Sequence, residues 1–556
     1  SHSKVPHEMI EDLDGVGGKD KFRVTHSRQA RKQKLPRTYY RVRGNNGPDW
    51  DMPNNDIDSV SHAVLERVFF VKGENGFQRA PKPHDAARFK DSETKIEDAR
   101  ENVRQANHSF CSKMKKIATT HGKVSPITDQ EFLDGYGGAK RKCYEAAVES
   151  LKETPLKASD CKVKVFTKDE YRKPGGAPRA IQPRSPRYNV KLGRYIKNLE
   201  HKIFNAIDEI FDPSKGHRTV AKGMNMNERG RVIADMWSKY DRPVAVGLDA
   251  SRYDQHINSE LLKLEHAIYH MWSTGKGDGL PNLSTLLKYQ RVNQGVYRGV
   301  DGTIEYKVHG CRMSGDMNTS LGNVTIMCAL MYSYFESKGL LKQISLLNDG
   351  DDCVIIMDER NLAKFRLGLE DWFLEMGITM CYDGIYHTLE DIEFCQSHPV
   401  FDEVLGYRLV PRPTKRLYSD LITTKPLHSK KVYRKWLGAV AGCGLAMSTG
   451  LPIFSSFYQW VGRGATPYIP KYGDVYYKFR QELVDGMDFR IREPSDRERM
   501  SYYFAFDITP NEQRMMEKYY ASLPDPIHTA SEQVAFRGLE SIQCLVPPEQ
   551  KDRKLQ

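Results

Sequence analysis

No Cys-x-x-Cys pair and no companion set of cysteines and histidines occurs in the chain, whose ten cysteines are scattered. That argues against structural zinc and for free thiols in a reducing compartment. Long hydrophobic runs are missing too. The longest, Trp436 to Met447, is about 12 residues, rich in Gly and followed by Ser448, Thr449, Gly450 and Pro452. It is too short and too broken to span a bilayer and reads as a buried helix. No secretory signal, internal repeat or low-complexity tract is evident. The chain opens on Ser1 rather than Met, as a processed product or a fragment would. Acid is in deficit, and the formal charge of +12 favours a polyanionic partner.

The basic excess is clustered. From Arg23 to Arg43 there are eight Lys or Arg, Arg31, Lys32, Lys34 and Arg37 among them, and no acid, interleaved with Tyr39 and Tyr40. Such a stretch either holds RNA through phosphate contact and stacking or stays a solvated arm. We expect a partly disordered arm over 1–59 whose use is RNA contact. Up to about Glu97 regular periodicity is poor, and Gly44 to Pro48 and Met52 to Asn55 mark linker. Ala63 to Val71 reads as a strand. From Thr94 to about Thr120, the spacing of Ile96, Ala99, Val103, Ala106 and Phe110 predicts a helix, and Glu512 to Leu523 predicts another.

The chemistry is concentrated in three segments. Ile344 to Met357 holds two apolar runs around Asn348-Asp349-Gly350-Asp351-Asp352, which reads as a β-hairpin whose turn tolerates positive φ at Asn348, Asp349 and Gly350. Adjacent carboxylates at such a turn stay ionised cheaply only with cations between them, so a metal site follows. Alone, the motif is equally a plain exposed turn. About a hundred residues upstream, Arg242 to Asp249 is an apolar strand running into an acid, with Asp254 five residues on. Leu261, Leu264, Ile268 and Trp272 then open an amphipathic helix. Taken singly, Asp249 is a helix-capping acid. Paired with Asp351, it can share two Mg²⁺ about 4 Å apart for in-line phosphoryl displacement. Between them, Ser314 and Gly315 form a flexible loop before a helix carrying Thr319 and Asn323, four residues apart and on one face. A hydroxyl and an amide there can bond a ribose 2′-hydroxyl, although Asn323 alone suits a water-facing helix.

Asp249-x4-Asp254, Ser314-Gly-x3-Thr319-x3-Asn323 and Gly350-Asp351-Asp352, in this order, resemble motifs A, B and C of the positive-strand viral RNA-dependent RNA polymerases. Lys162 to Arg184, two basic strands about a Gly/Pro turn, resembles motif F and would present Lys168, Lys173 and Arg179 to a triphosphate. A solvated basic hairpin is its competitor. Ile392 to Gln396 resembles motif E, the primer-grip hairpin. Phe132 to Tyr144 and Arg434 to Leu445 bring the likeness closest to the tombusvirus-like polymerases, over most of residues 60 to 470.

The resemblance implies an α+β right-hand fold. Its fingers would take 60–240 and 259–309, its palm 241–258 and 310–408, and its helical thumb 409–556. It implies RNA-templated synthesis from ribonucleoside triphosphates, with Mg²⁺ or substituting Mn²⁺ on Asp249, Asp351 and Asp352. The primer 3′-hydroxyl would be activated by a metal on Asp249 and Asp351, and a second metal would stabilise the leaving pyrophosphate. Asp352 is expected to play the lesser part, since consecutive strand residues face opposite sides. Asp254, Ser314, Thr319 and Asn323 would select ribose, and Gly315 would touch RNA. Implied partners are a single-stranded template, nascent RNA, a membrane-anchored viral replication protein and host factors, at membrane-associated complexes in host cytoplasm. One departure concerns proton donation: Glu375 to Asp383, where many such enzymes carry a Lys or Arg after the motif D helix, contains neither, and Lys364 lies at the helix start. A reverse transcriptase or DNA polymerase would share the two-acid palm, but Asp254 with Ser314, Thr319 and Asn323 favours a 2′-hydroxyl. A non-catalytic RNA-binding or capsid protein would explain the charge and not the acids.

Overall fold

The computed structural model describes residues 8–13, 20–26, 38–42, 54–69, 102–170, 172, 176–214, 216–421, 427, 429–466 and 492–531. Helices and strands are mixed throughout, as the α+β expectation requires.

The expected hairpin lies in a four-stranded antiparallel sheet ordered Ile344–Asp349, Asp352–Asp358, Pro243–Ala250, Met380–Tyr386. Ile344 pairs with Met357 and Asp349 with Asp352, so Gly350 and Asp351 alone make the turn. The two middle strands are covered on both faces. Val244, Val246 and Leu248 join Cys353, Ile355 and Met357 in one core, while Ala245, Val354 and Ile356 face another. Successive side chains of a strand point to opposite faces, so a strand buried on both sides needs the unbroken apolar run seen in the sequence.

The helix Thr319–Ser337 is buried almost all round. Leu330, Met331 and Tyr334 pack on the sheet, whereas Leu321, Val324, Cys328 and Ala329 pack among the helices Pro186–Phe211 and Ser259–Trp272. It thereby brings Asn323, near its start, beside the hairpin. On the other sheet face lies Met226–Trp237, contributing Ile233 and Met236. Gly230 lets this helix press on the strand Gly406–Pro411: a Cβ there would sit 2.2 Å from the Arg408 Cα.

Ser259–Trp272 is the amphipathic helix predicted, with the Asn258 side chain accepting from the Glu260 and Leu261 amides. It also carries two buried ionisable groups, Glu265 and His266. Burial pushes the His266 pKa down to about 4. Its folded pKa is thus below the unfolded value, the unfolded chain binds more protons in acid, and stability is lost as pH falls below about 6.5. We expect His266→Gln to remove about 2 kcal/mol of the destabilisation on going from pH 8 to 5, measured by urea unfolding at both values.

Two expectations for the N-terminal region are corrected. The described parts of the basic arm are strands. Glu8–Leu13 and Asp20–His26 belong to a five-stranded sheet with Gly302–His309, Val292–Gly299 and Val163–Lys164. Phe22 and Val24 point into a core with Val60, Val64 and Tyr306 while Arg23 faces water, so period-two burial was concealed among charges. Thr38–Val42 pairs with Ile527–Ser531, which joins the two ends of the chain. Arg31, Lys32, Lys34 and Arg37 lie outside the described residues. The strand expected over Ala63 to Val71 is instead the helix Ile57–Arg67, capped by the Asp56 side chain accepting from the Ser59 amide. Its buried Ile57, Val60, Ala63 and Val64 follow helical spacing, and that stripe sets the structure up to Arg67.

The helix predicted from Thr94 is described only from residue 102. Its main length is His108–His121, buried through Phe110, Met114 and Ala118. Towards the C-terminus, Lys430–Ser448 is the buried helix expected around Trp436 to Met447, and Glu512 to Leu523 falls in Pro510–Ser522. With Phe454–Val461 and Asp496–Phe506 they enclose their own core. Among the described residues no helix is long and apolar enough to cross a membrane.

Candidate active site

The acidic turn is built by Asn348. Its buried amide donates to the Gly350 carbonyl at 2.7 Å and accepts from the Gly350 amide at 3.1 Å, and only Gly350, at φ +93°, uses the left-handed region expected of all three turn residues. Asn348 serves through its side chain rather than through positive φ. The neighbouring Asp349 is clamped from behind, 2.5 Å from the Lys222 Nζ and 2.8 Å from the Arg229 Nη1. Burial raises its pKa, but these two cations outweigh that and hold the carboxyl below the ordinary range. The turn is therefore fixed to the loop and helix around residues 222–229, and Asp351 and Asp352 are the acids left facing outward.

Asp249 and Asp351 both act on Asp352 here. Cys353 pairs with Leu248, which sets Asp352 next to Asp249 across the two middle strands. Burial, then the fields of Asp351 and Asp249, push the Asp352 pKa up to about 7. The protein around the turn takes solvent from the Asp351 carboxyl and raises its pKa, against the opposing charges of Lys222 and Arg179. Asp352, expected to play the lesser part, is thus the acid coupled to both others. Among the described residues no three Asp, Glu, His or Cys side chains are already gathered closely enough to form a metal cage.

Beside them, Asn323 Nδ2 donates to Asp254 Oδ1 at 2.8 Å, so these two residues form a unit. Burial raises the Asp254 pKa, and the Asn323 amide and Arg312 oppose it. Ser314 and Thr319 are otherwise engaged: their hydroxyls donate to the Ala180 and Met313 carbonyls at 2.9 and 3.0 Å. Gly315 lies so close to the next segment that a Cβ would come within 2.5 Å of the Pro183 nitrogen. Close backbone approach calls for glycine there.

The basic hairpin is real but short, Phe166–Thr167 against Ala180–Ile181. Lys168 and Arg179 both meet Glu170, at 2.7 and 3.7 Å, and the Arg179 charge also reaches Asp351 and Asp254. Lys173 lies outside the described residues. The hairpin expected at Ile392 to Gln396 is displaced: Ile392 and Phe394 are buried under the central sheet, and the regular hairpin is Ser397–Asp402 with Gly406–Pro411. The first segment pairs only at Phe394, which exchanges backbone hydrogen bonds with Ser397 across a tight turn at Cys395 and Gln396, both at positive φ. Its Cys395 Sγ lies 3.5 Å from Asp349 Oδ2, behind the acidic turn.

A family model described as viral RNA dependent RNA polymerase matches residues 24–524. The chain belongs to that family. Relatives named RNA-directed RNA polymerase come from Tobacco necrosis virus (strain A), 38% identical over 87% of the chain and 64% of the relative, and from Oat chlorotic stunt virus (isolate United Kingdom), 37% identical over 84% and 62%. That of Turnip crinkle virus is 31% identical over 89% of the chain and 61% of its own length. The chain thus spans somewhat under two thirds of each of these relatives. They agree with the tombusvirus-like resemblance. Lys222, Arg229 and Arg312 are the residues at this site that motif reading missed. Of these only Arg312, two positions before Ser314, stood close enough to a motif to be noticed.

Proposed function

We propose that the chain synthesises RNA on a single-stranded RNA template from ribonucleoside triphosphates, by two-metal nucleotidyl transfer at Asp249, Asp351 and Asp352. The observation that carries this reading is the placing of Asp352 beside Asp249 across two paired strands and next to Asp351 at the turn, both of which act on its carboxyl, with the Asp254–Asn323 unit beside them. Their donor chemistry fits Mg²⁺, or Mn²⁺ in its place. That hard cation is commonly held by one or two carboxylates, with waters and substrate phosphates completing its shell. The raised Asp352 pKa marks an excess of negative charge that such a cation would relieve. When bound, the ions would lower the pKa of the attacking 3′-hydroxyl and offset charge on the leaving pyrophosphate.

The protein's own groups do the rest. Asp349, held by Lys222 and Arg229, fixes the turn that carries Asp351 and leads into Asp352. Arg179 and Lys168 offer positive charge for the triphosphate at the edge of the acidic site. Asp254 keeps acceptor capacity for a ribose 2′-hydroxyl. In right-hand terms the central sheet would be the palm, the helices and basic hairpin before it the fingers, and the C-terminal helices the thumb. The nascent strand, a membrane-anchored viral replication protein and host factors would be the partners, at membrane-associated complexes in host cytoplasm.

The test is incorporation by the purified chain on an unprimed single-stranded RNA template, with rNTPs or dNTPs and Mg²⁺ or Mn²⁺. Template-dependent, metal-dependent incorporation of rNTPs is expected. Comparable use of dNTPs would remove the ribose assignment, and no incorporation with either metal would remove the polymerase reading.

A further inference from the structure

Asn323 is not held by Asp254 alone. Its Oδ1 accepts from Arg312 Nε at 3.0 Å while its Nδ2 donates to Asp254 at 2.8 Å, so the amide is clamped between a cation and a carboxylate. Arg312 is itself fully buried and ion-paired through Nη2 with the equally buried Glu265. Glu265 is in turn fixed by the Tyr269 hydroxyl at 2.6 Å and the Asn318 amide at 2.7 Å. The Arg312 backbone amide also donates to the Asp254 carbonyl at 2.8 Å. Gly322, immediately before Asn323, makes room for the pair: a Cβ there would lie 2.3 Å from Arg312 Nη2 and 2.4 Å from a Glu265 oxygen.

The two ends of an amide have the same shape and opposite hydrogen-bonding character. Turned over, Asn323 would set its NH₂ against the guanidinium and its oxygen against the Asp254 carboxylate, so both contacts would become repulsive. Arg312 therefore decides which end faces Asp254. With the NH₂ there, Asp254 is held in place with its second oxygen, Oδ2, left to accept from a sugar hydroxyl. With the oxygen there, the carboxylate would be repelled from its place.

We propose that Arg312, anchored by Glu265, is a positioning residue for sugar selection: it sets the orientation of Asn323 and, through it, the aim of Asp254 at the ribose 2′-hydroxyl. This rests on the polymerase reading above. A lysine keeps the charge but lacks the planar fork that reaches Glu265 and Asn323 at once.

The experiment measures kcat/KM for an rNTP and for the matching 2′-deoxynucleotide at one template position, in the wild-type chain, Arg312→Lys, Glu265→Gln, Asn323→Ala and the double variant Arg312→Lys/Asn323→Ala. In Arg312→Lys the rNTP efficiency is expected to fall about tenfold with dNTP efficiency little changed, as for loss of one hydrogen bond to a charged group. Glu265→Gln should move the ratio in the same direction by a smaller factor. In the Asn323→Ala background, Arg312→Lys should change the ratio no further. A parallel fall of rNTP and dNTP use, or a full additional loss of selectivity in the double variant, would reduce Arg312 to a merely structural part and overturn the inference. If Arg312→Lys fails to fold, an unchanged ratio in Glu265→Gln overturns it equally. Wild-type chain without templated incorporation would overturn the polymerase reading and this inference together. A selective wild type whose ratio survives Arg312→Lys overturns the inference alone.

Discussion

Replacing Asp351 with Asn is expected to lower nucleotide incorporation by about a thousandfold or more while leaving the fold as stable as before, or more so. The large loss follows from the role proposed for the carboxylate: ions at such a site supply several kcal/mol of transition-state stabilisation, and each 1.36 kcal/mol is tenfold in rate. An amide keeps the shape but neither the charge nor the affinity for a hard cation. The unchanged stability follows from electrostatics. Burial, then Asp349, act against the charged form of Asp351, whose pKa is raised, and Asp351 in turn is the foremost charge raising Asp352 towards neutrality. A neutral side chain relieves both without creating a cavity. Incorporation assays beside thermal melts in metal-free buffer check the two halves. Undiminished synthesis would remove Asp351 from the metal set, and a marked drop in melting temperature would show that the turn needs the charge structurally.

Replacing Asp316 with Ala is expected to cost about 3–5 kcal/mol of stability, the range found when one partner of a buried ion pair is removed. Arg184 and Asp316 are both essentially without solvent exposure, with Nε–Oδ1 at 2.6 Å and Nη2–Oδ2 at 3.2 Å. Arg184 also reaches the Cys161 carbonyl at 2.7 Å and the Asn293 side chain. Without Asp316 those neutral acceptors remain, but the guanidinium would be a buried, uncompensated charge. The double replacement Arg184→Met/Asp316→Leu should recover most of the loss, since a buried pair exchanged for apolar groups is often near neutral. The urea midpoints of the single and double variants decide the matter. Because the pair joins the end of the basic hairpin to the loop of Ser314 and Gly315, the single variant should also loosen the site that Pro183 and Gly315 close by backbone contact. A single variant within about 1 kcal/mol of wild type would show that water reaches Arg184.

Much of the site was legible because its elements are local. The hairpin Ile344–Asp349/Asp352–Asp358 announces itself through apolar runs around Asn-Asp-Gly, and the helix Ser259–Trp272 through its spacing and its Asn258 cap. The misreadings were also local. Ala63 to Val71 looked like a strand because β-branched and aromatic residues cluster at its end, while the helical stripe begins earlier, at Ile57. Phe22 and Val24 were hidden in a basic stretch because two inward residues among charges carry little pattern. Taken alone, Asn323 suited a water-facing helix as well as a ribose site, because the two residues that hold it, Asp254 and Arg312, come from other turns of chain.

The sequence by itself therefore determined the order of the acids, the strand that carries Asp249, the hairpin turn that carries Asp351, and the family to which they belong, since each depends on residues within one turn or strand. The tertiary structure alone decided which of those groups meet. It set Asp352 beside Asp249 through the register of two strands, turned Asp349 back onto Lys222 and Arg229, and buried Arg312 with Glu265 behind Asn323. Charges interact through space over a few ångströms whatever their separation in the chain, so their pairing becomes visible only when packing has fixed the distances.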